Sequence, residues 1–330
     1  MRKIKIAVID TGCSIELMEN MRNILFDKDL QLSAYKSSLN LLEDYIGHGT
    51  MCIKNIMNIL KNYENLVDIY PIKIFDNTGV TSSKRLIEVL YKLTKKDIDI
   101  INISLSTTEQ SMKDEFIEVC SLLERQGKLI IVSKTLKGDD NSLLSIPATL
   151  ESTIGVDGCK SLSDDEFIVR KDNKIELVFN SKKYIYILKN SINDFGLNSR
   201  ATSLATAYIT KLIIDKNLNI PTKELIIDEL HKYSIVKNIK KHYVRKKLKN
   251  TDLVILMSIF NILKKMDINV TVYELIYEEK LFSVFYYDNI ELLNLIKKVN
   301  HEFQIKIYLN KYSTEEICNI FHLIDIIKKL

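Results

Sequence analysis

Residues 3–12 read KIKIAVIDTG, a short apolar run that ends in an Asp-Thr-Gly triplet. A run of this kind is typical of a buried parallel strand that leads into a loop. The segments 67–74, 98–105 and 128–133 repeat the pattern. Stretches with apolar residues three and four apart separate them, at 83–93 and 112–125. This alternation predicts an α/β fold, with a doubly wound parallel sheet and helices on both of its faces.

The second half of the chain has a different pattern. Residues 158–195 hold short alternating strands separated by polar turns, which predicts an antiparallel insertion. Residues 201–214 and 222–233 then predict two further helices. From residue 251 the pattern is helical only, over 251–265, 288–300 and 314–329. We therefore expect a small all-α bundle at the C-terminal end.

Composition and cysteine usage limit the cellular setting. No apolar run reaches the ~18 residues that a membrane-spanning helix needs, and none near the start resembles a signal segment. The five cysteines are scattered without metal-binding spacing, and no acidic cluster has the spacing of calcium ligands. These features predict a cytoplasmic protein with reduced thiols, no membrane contact, no cofactor and no bound metal.

Charge is unevenly distributed along the chain. The net charge is +4, but residues 221–250 alone carry eight Lys and one Arg against three acidic residues. Such a stretch could bind nucleic acid or an acidic leader peptide, or it could be a solvated helix that joins two domains. No aromatic stacking platform accompanies the charge, which disfavours nucleic acid.

Three motifs lie in a fixed order along the first two thirds of the chain. They are AVIDTG at 7–12, GHGT at 47–50 and ATSLAT at 201–206. Three supporting segments lie between them, IKIFD at 72–76, INISL at 101–105 and SIPA at 145–148. Together they resemble the Asp, His and Ser motifs of the subtilases, a family of serine proteases, over about residues 1–233.

The resemblance implies a subtilisin-like fold and a catalytic triad of Asp10, His48 and Ser203. His48 would take the proton of the Ser203 hydroxyl, and Asp10 would hold the imidazole in the correct tautomer. The backbone N–H of Ser203, at the start of a helix, would contribute to the oxyanion hole. An extended peptide substrate would pair with the strand at Ile103, Ser104, Leu105 and Ser106.

One part of the family pattern is missing. Subtilases place an oxyanion-hole Asn after the strand that corresponds to 128–133, and an ungapped comparison puts Leu136 at that position. Lys137 or Asn141 could reach the site only if the loop is re-registered. This departure leaves open two functions, a slow and selective protease or an inactive pseudoprotease that binds peptide in the same groove.

The C-terminal region resembles an acyl carrier protein. Residues 281–296 read LFSVFYYDNIELLNLI, which is similar to the carrier core motif that contains Asp-Ser-Leu. Here the triplet is Asp288-Asn289-Ile290, so the Ser that would carry phosphopantetheine is replaced by Asn289. The alternative is an unrelated helical bundle. If the resemblance holds, the module would dock a partner rather than carry a substrate.

These observations predict three segments, a peptidase domain at 1–233, a basic linker or helix at 234–250 and a carrier-like helical domain at 251–330. The predicted function is cleavage of a specific peptide or protein by a cytosolic serine endopeptidase. A leader peptide removed during maturation of a natural product is a plausible substrate. Its partners would be that substrate and a protein that docks on the carrier-like domain.

The Asn289 position makes a direct prediction. Incubation with a phosphopantetheinyl transferase and coenzyme A should leave the intact mass unchanged, because an amide has no nucleophilic oxygen for the phosphodiester. Mass spectrometry checks this, with an ordinary carrier protein as positive control. A mass gain equal to one phosphopantetheine would contradict the assignment.

Overall fold

The computed structural model describes residues 2–32, 39–135, 145–171, 174–188, 191–235, 249–277, 280–286 and 288–330. The chain divides into two compact units. The first comprises Met1–Ser181 and Gly196–Asn238, and the second comprises Lys182–Phe195 and Ile239–Leu330. Most of the predicted basic linker, residues 236–248, lies outside the described residues.

A seven-stranded sheet forms the centre of the first unit. Its order is β2-β1-β3-β4-β5-β7-β6, and every neighbouring pair is parallel except β7 and β6. The strands are β1 (Ile4–Asp10), β2 (Val67–Lys73), β3 (Ile100–Ile103), β4 (Leu129–Ser133), β5 (Ile154–Cys159), β6 (Ile168–Val169) and β7 (Leu177–Asn180). The predicted doubly wound parallel sheet is confirmed.

Helices of this unit cover both faces of the sheet. They are α1 (Ile15–Asn20), α2 (His48–Ile59), α3 (Ser83–Leu93), α4 (Lys113–Arg125), α5 (Leu197–Asp215) and α6 (Lys223–His231), with 3₁₀ turns at Leu39–Leu42 and Lys61–Leu66. Ile101 and Ile103 of β3 pack in one buried cluster with α3 and α4. Between them, Asn102 bonds to Thr206 of α5. Because neighbouring side chains of a strand point to opposite faces, α5 covers the other face.

The strand order decides where a site can form. β1 lies between β2 and β3. The chain runs from β1 to β2 on one side of β1 and then crosses to β3 on its other side, so the direction of winding changes at β1, the switch point of the sheet. Loops on opposite sides of such a switch point diverge and leave a crevice at the carboxyl ends of the strands. Asp10 ends β1 and Ser104 follows β3, so both lie at this crevice.

The second unit combines helices with a β-hairpin. Its helices are α7 (Asn250–Lys264), α8 (Val272–Tyr277), α9 (Lys280–Phe285), α10 (Asn289–Phe303), α11 (Thr314–Ile317) and α12 (Ile320–Lys329). The hairpin pairs β8 (Tyr184–Leu188) with β9 (Ser191–Phe195). Ile185 is 2% exposed within the helical core. The predicted all-α bundle is therefore corrected to a helical unit that contains two strands.

The hairpin is also fixed through its backbone and one buried lysine. The N–H of Lys183 donates to Glu315 at 3.0 Å, and its carbonyl accepts from the N–H of Thr314 at 2.6 Å. Its ammonium group donates to the Tyr286 carbonyl at 2.7 Å and pairs with Asp194 at 2.9 Å. These bonds explain why residues 182–195, predicted as an insertion of the first domain, belong to the second unit.

Three other predictions change in detail. β7 is not part of an antiparallel insertion, because it extends the parallel sheet beside β5. The helix predicted from residue 201 begins at Leu197, one turn earlier. The last predicted helix is broken at Cys318, because the side chain of Asn319 caps a new helix by accepting from the N–H groups of Phe321 and His322.

None of the helices within the described ranges combines the length and the apolar composition that a bilayer span requires.

Candidate active site

A buried carboxylate marks the end of β1. Asp10 is 1% exposed and accepts the backbone N–H of Thr11 at 2.7 Å through Oδ1. Its Oδ2 accepts from the thiol of Cys52 at 3.5 Å. A carboxylate that is removed from water costs free energy unless donors surround it, and these contacts supply them.

His48 completes a pair with this carboxylate. Its Nδ1 lies 2.7 Å from Asp10 Oδ1, and its side chain is 31% exposed. His48 is the first residue of α2, after Gly47 with φ of 86°. The next residue is Gly49, where a Cβ would lie 2.3 Å from the Gly12 carbonyl and 3.1 Å from Asp10 Cβ. Glycine at that position lets the helix start approach the end of β1.

A second buried acid, Asp44, fixes the turn before His48. Its carboxylate accepts four hydrogen bonds of 2.7–2.8 Å, from the hydroxyl of Thr11, the N–H of Gly47 and both the N–H and hydroxyl of Thr50. Thr11 also accepts from the N–H of Gly49 at 2.8 Å. Asp44 was not among the predicted site residues. Its position four residues before His48 was the available signal, because a carboxylate there can cap the helix start.

Charges and hydrogen bonds shift the pKa values of the pair in opposite directions. Burial alone would raise the pKa of Asp10, but the charge and hydrogen bond of His48, with the Thr11 N–H, lower it. Burial alone would lower the pKa of His48, but the Asp10 carboxylate raises it well above its usual value near 6.5. The pair therefore favours an ionised Asp10 that holds a proton on Nδ1 of His48.

Cys52 is the remaining polar group of this cluster. Burial, followed by the charge of Asp10, raises the pKa of its thiol to about 11. It is therefore protonated at neutral pH, and it lies 3.3 Å from Ser104 Oγ. The donor atoms of Asp10, His48 and Cys52 lie within 4.8 Å of one another, the spacing of a possible metal ligand set within the described ranges. In the structure, Asp10 is hydrogen-bonded to both His48 and Cys52.

The predicted substrate strand is only partly accessible. Ile103 is 0% exposed in the core and Ser104 is 7% exposed, so neither presents its side chain to a ligand. Leu105 and Ser106 are half-buried and line a cavity of about 510 Å³. The other lining residues are Thr81, Ser82, Ser83, Lys84, Leu86, Thr107, Glu109, Met112, Phe116 and Ile146.

The structure does not bring Ser203 to His48. Ser203 is 0% exposed, and its hydroxyl donates to the Arg200 carbonyl at 2.8 Å and accepts from the Asn55 amide at 2.6 Å. It is the seventh residue of α5, so its backbone N–H is bonded within the helix to the carbonyl four residues earlier. Neither its hydroxyl nor its N–H is available for the roles predicted for Ser203.

Another serine, Ser199, lies at the start of α5. Ser199 is the third residue of α5, half-buried, and its hydroxyl donates to the Ser104 carbonyl at 3.2 Å. The first N–H groups of a helix have no partner within it, so the N–H of Ser199 points out of the helix start. Ser199 therefore lies at the switch point that Asp10 and Ser104 define.

A repeat in the sequence explains why Ser199 was missed. Residues 199–206 read SRATSLAT, two successive copies of Ser-x-Ala-Thr that are four residues apart. Either copy matches the family motif, and the spacing is close to one helical turn. The signal that separates them is Gly196, which is the N-cap of α5 and precedes only the first copy closely enough to start a helix there.

The predicted oxyanion side chains cannot be placed. Leu136, Lys137 and Asn141 all lie outside the described residues, in the segment 136–144. The described part of that strand and loop ends with Lys134 and Thr135. Among the described residues, Ser199 is in the first turn of α5, where backbone N–H groups favour negative charge.

An Asp–His pair beside a serine at a helix start is typical of serine-type hydrolases. The sequence profile of the subtilase family, Peptidase_S8, matches residues 1–225, and the chain belongs to that family. A search of curated protein sequences found no match.

Solved structures share the fold at low sequence identity. One is a cold-adapted subtilisin-like serine proteinase, with 14% identity and a TM-score of 0.53 over 70% of this chain and 82% of that chain. Another is a lanthipeptide protease, also with 14% identity and a TM-score of 0.53, over 69% of this chain and 79% of that chain. Both similarities concern the fold.

Replacing Asp44 by Asn should destabilise the first unit. The side-chain amide of Asn would turn an NH₂ group toward N–H and O–H donors that now bond to the Asp44 carboxylate. We therefore expect a loss of about 2–3 kcal/mol in the free energy of unfolding. Urea denaturation measures this, with Asp165→Asn as control because Asp165 is exposed. Equal unfolding midpoints for the two variants would contradict the role given to Asp44.

Replacing Asp10 by Asn should lower the pKa of His48, because the carboxylate that favours the imidazolium is lost. In the wild-type protein this pair also stabilises the fold below the unfolded-state pKa of His48, and that contribution disappears as pH rises through the raised folded-state pKa. Proton NMR titration of the histidine resonances measures the change, with the other four histidines as internal controls. A His48 pKa that does not fall would contradict the pairing.

Proposed function

We propose that this protein is a serine endopeptidase in which Ser199 is the nucleophile, His48 the general base and Asp10 the group that orients His48. The observation that carries the proposal is the position of Ser199 on the first turn of α5, with its hydroxyl on the Ser104 carbonyl at the crevice that also holds Asp10 and His48. This assignment replaces Ser203 as the expected nucleophile.

The reaction begins with proton transfer from Ser199. Asp10 engages Nδ1 of His48, so in the neutral imidazole, the form favoured as pH rises through the raised pKa of His48, Nε2 is the ring nitrogen that would accept the proton as Ser199 Oγ attacks the scissile carbonyl. The imidazolium then donates that proton to the leaving amine, and water hydrolyses the acyl-enzyme by the same steps. Throughout, the ionised Asp10 stabilises the positive charge that forms on His48.

The N–H of Ser199 would stabilise the oxyanion. It belongs to the helix start, where the helix dipole also favours negative charge. The sequence places Leu136 where the family has an oxyanion-hole Asn, and loss of such an amide slows an enzyme by a factor of about 10²–10³. Slow cleavage suits a protease with a single dedicated substrate.

The substrate would be an extended peptide. A peptide that adds beside residues 104–106, beyond the paired part of β3, would gain backbone hydrogen bonds, and the adjacent cavity would receive one of its side chains. Leu105, Met112 and Phe116 give that cavity an apolar wall, while Lys84 and Glu109 supply charge. A leader peptide is a candidate, and the fold similarity to a lanthipeptide protease agrees with this class without establishing it.

A second function is a peptide-binding scaffold without cleavage. The Ser199 hydroxyl donates to the Ser104 carbonyl rather than to His48, and this bond supports the scaffold. Catalysis would require the hydroxyl to break this hydrogen bond and to donate to Nε2 of His48 instead.

The resemblance of the second unit to a carrier protein fits either function, because such a unit could dock a partner. In this unit Asp288 is the N-cap and Asn289 the first residue of α10.

A fluorophosphonate probe tests the proposal. We expect one adduct on the wild-type protein and on Ser203→Ala, and none on Ser199→Ala, as measured by intact mass. Trypsin cleaves after Arg200, so the two serines fall on different peptides, 190–200 and 201–211. Tandem mass spectrometry of the digest therefore locates the adduct directly.

The other outcomes are equally informative. An adduct on 201–211 that disappears in Ser203→Ala would return the nucleophile to Ser203. No adduct on the wild-type protein at high probe concentration would favour the scaffold.

A further inference from the structure

Ser203, displaced from the catalytic role, joins two helices. Its hydroxyl on α5 accepts from the amide of Asn55 on α2 at 2.6 Å. The same amide donates to the Arg200 carbonyl at 3.3 Å, and Ser203 donates to that carbonyl at 2.8 Å. Two of these three contacts therefore end on the backbone carbonyl of the residue that follows Ser199.

The other side of Arg200 is fixed as well. Its guanidinium, 4% exposed, binds both carboxylate oxygens of Asp164 at 2.6 and 2.7 Å. Asn180, the last residue of β7, donates to Asp164 at 2.6 Å and accepts from Arg200 at 3.4 Å. One terminal nitrogen of the guanidinium contacts both carboxylate oxygens, and this charge-assisted contact holds the Arg200 side chain at Asp164.

The contacts of Asn55 with Ser203 and Arg200 link α2 and α5, the two helices that carry His48 and Ser199. α2 begins with His48, and Asn55 lies two turns later, a rise of about 10 Å. α5 carries Ser199 next to Arg200. A shift or rotation of one helix against the other would change the separation of Ser199 and His48, and the Asn55 contacts oppose such a shift.

We propose that Asn55, Ser203 and Arg200 form a positioning brace that holds the first turn of α5 against α2 and so sets the geometry between Ser199 and His48. The proposal rests on Ser199 being the nucleophile. None of the three residues touches the reacting atoms, so each acts through Ser199 and is a positioning residue.

The test is the kinetics of fluorophosphonate inactivation in Ser203→Ala and Asn55→Ala. A misplacement near 1 Å can cost about 100-fold in rate, so we expect the maximal inactivation rate to fall by about 10- to 100-fold. The half-saturating probe concentration should stay within about twofold, because positioning affects the chemical step.

Matched controls isolate the brace. Thr210→Val removes a buried hydroxyl of α5 that bonds only to its own helix, at the Thr206 carbonyl. Asn58→Ala removes an exposed amide of α2. Both controls should keep the wild-type inactivation rate. The rate loss of the double variant Asn55→Ala/Ser203→Ala should be smaller than the product of the two single losses, because both single changes already remove the bond between Asn55 and Ser203.

Three results would overturn the proposal. Rates of Ser203→Ala and Asn55→Ala equal to those of their controls would remove the brace and leave Ser199 as nucleophile. A thermal midpoint and probe affinity that fall in step with the rate would assign these residues a purely structural role. Labelling of Ser203, or no labelling of the wild-type protein, would defeat the proposed function and the brace with it.

Discussion

The hydrogen bond between Asp10 and His48 imposes the main constraint on the first unit. An ionised carboxylate is stable at 1% exposure only where donors surround it, and the end of β1 meets that condition through Thr11, Cys52 and His48. The glycine at position 49 and the four contacts of Asp44 hold α2 close enough for the bond to form. The sheet topology then brings Ser104 and the start of α5 to the same crevice.

Local patterns in the sequence were sufficient to predict this framework. Each central strand is buried on both faces, so its apolar run is continuous, and helices such as α3 and α4 have one apolar stripe. Asp10 and His48 could be assigned because the segments AVIDTG and GHGT resemble the Asp and His motifs of the family. These are properties of short segments, and short segments specify their own structure most strongly.

The features that sequence did not predict depend on distant contacts. The choice between Ser199 and Ser203 depends on where α5 begins, and the repeated Ser-x-Ala-Thr pattern makes both positions locally equivalent. The partner of Ser203 is Asn55, which is 148 positions away in the sequence. Similarly, residues 182–195 alternate as strands do, but their place in the second unit depends on Ile185 and Lys183 reaching helices more than 100 residues later.

The discontinuous second unit has a consequence for synthesis of the chain. The hairpin leaves the ribosome before α7–α12, so Ile185 remains without its helical core, and the Lys183 ammonium without the Tyr286 carbonyl, until that later part of the chain has been made. At ordinary elongation rates this interval is on the order of 10 s. Gly196 and the start of α5 directly follow the hairpin. The strands of the central sheet all precede residue 181 and can pair before the second unit is made, whereas the hairpin completes its folding only with the later helices.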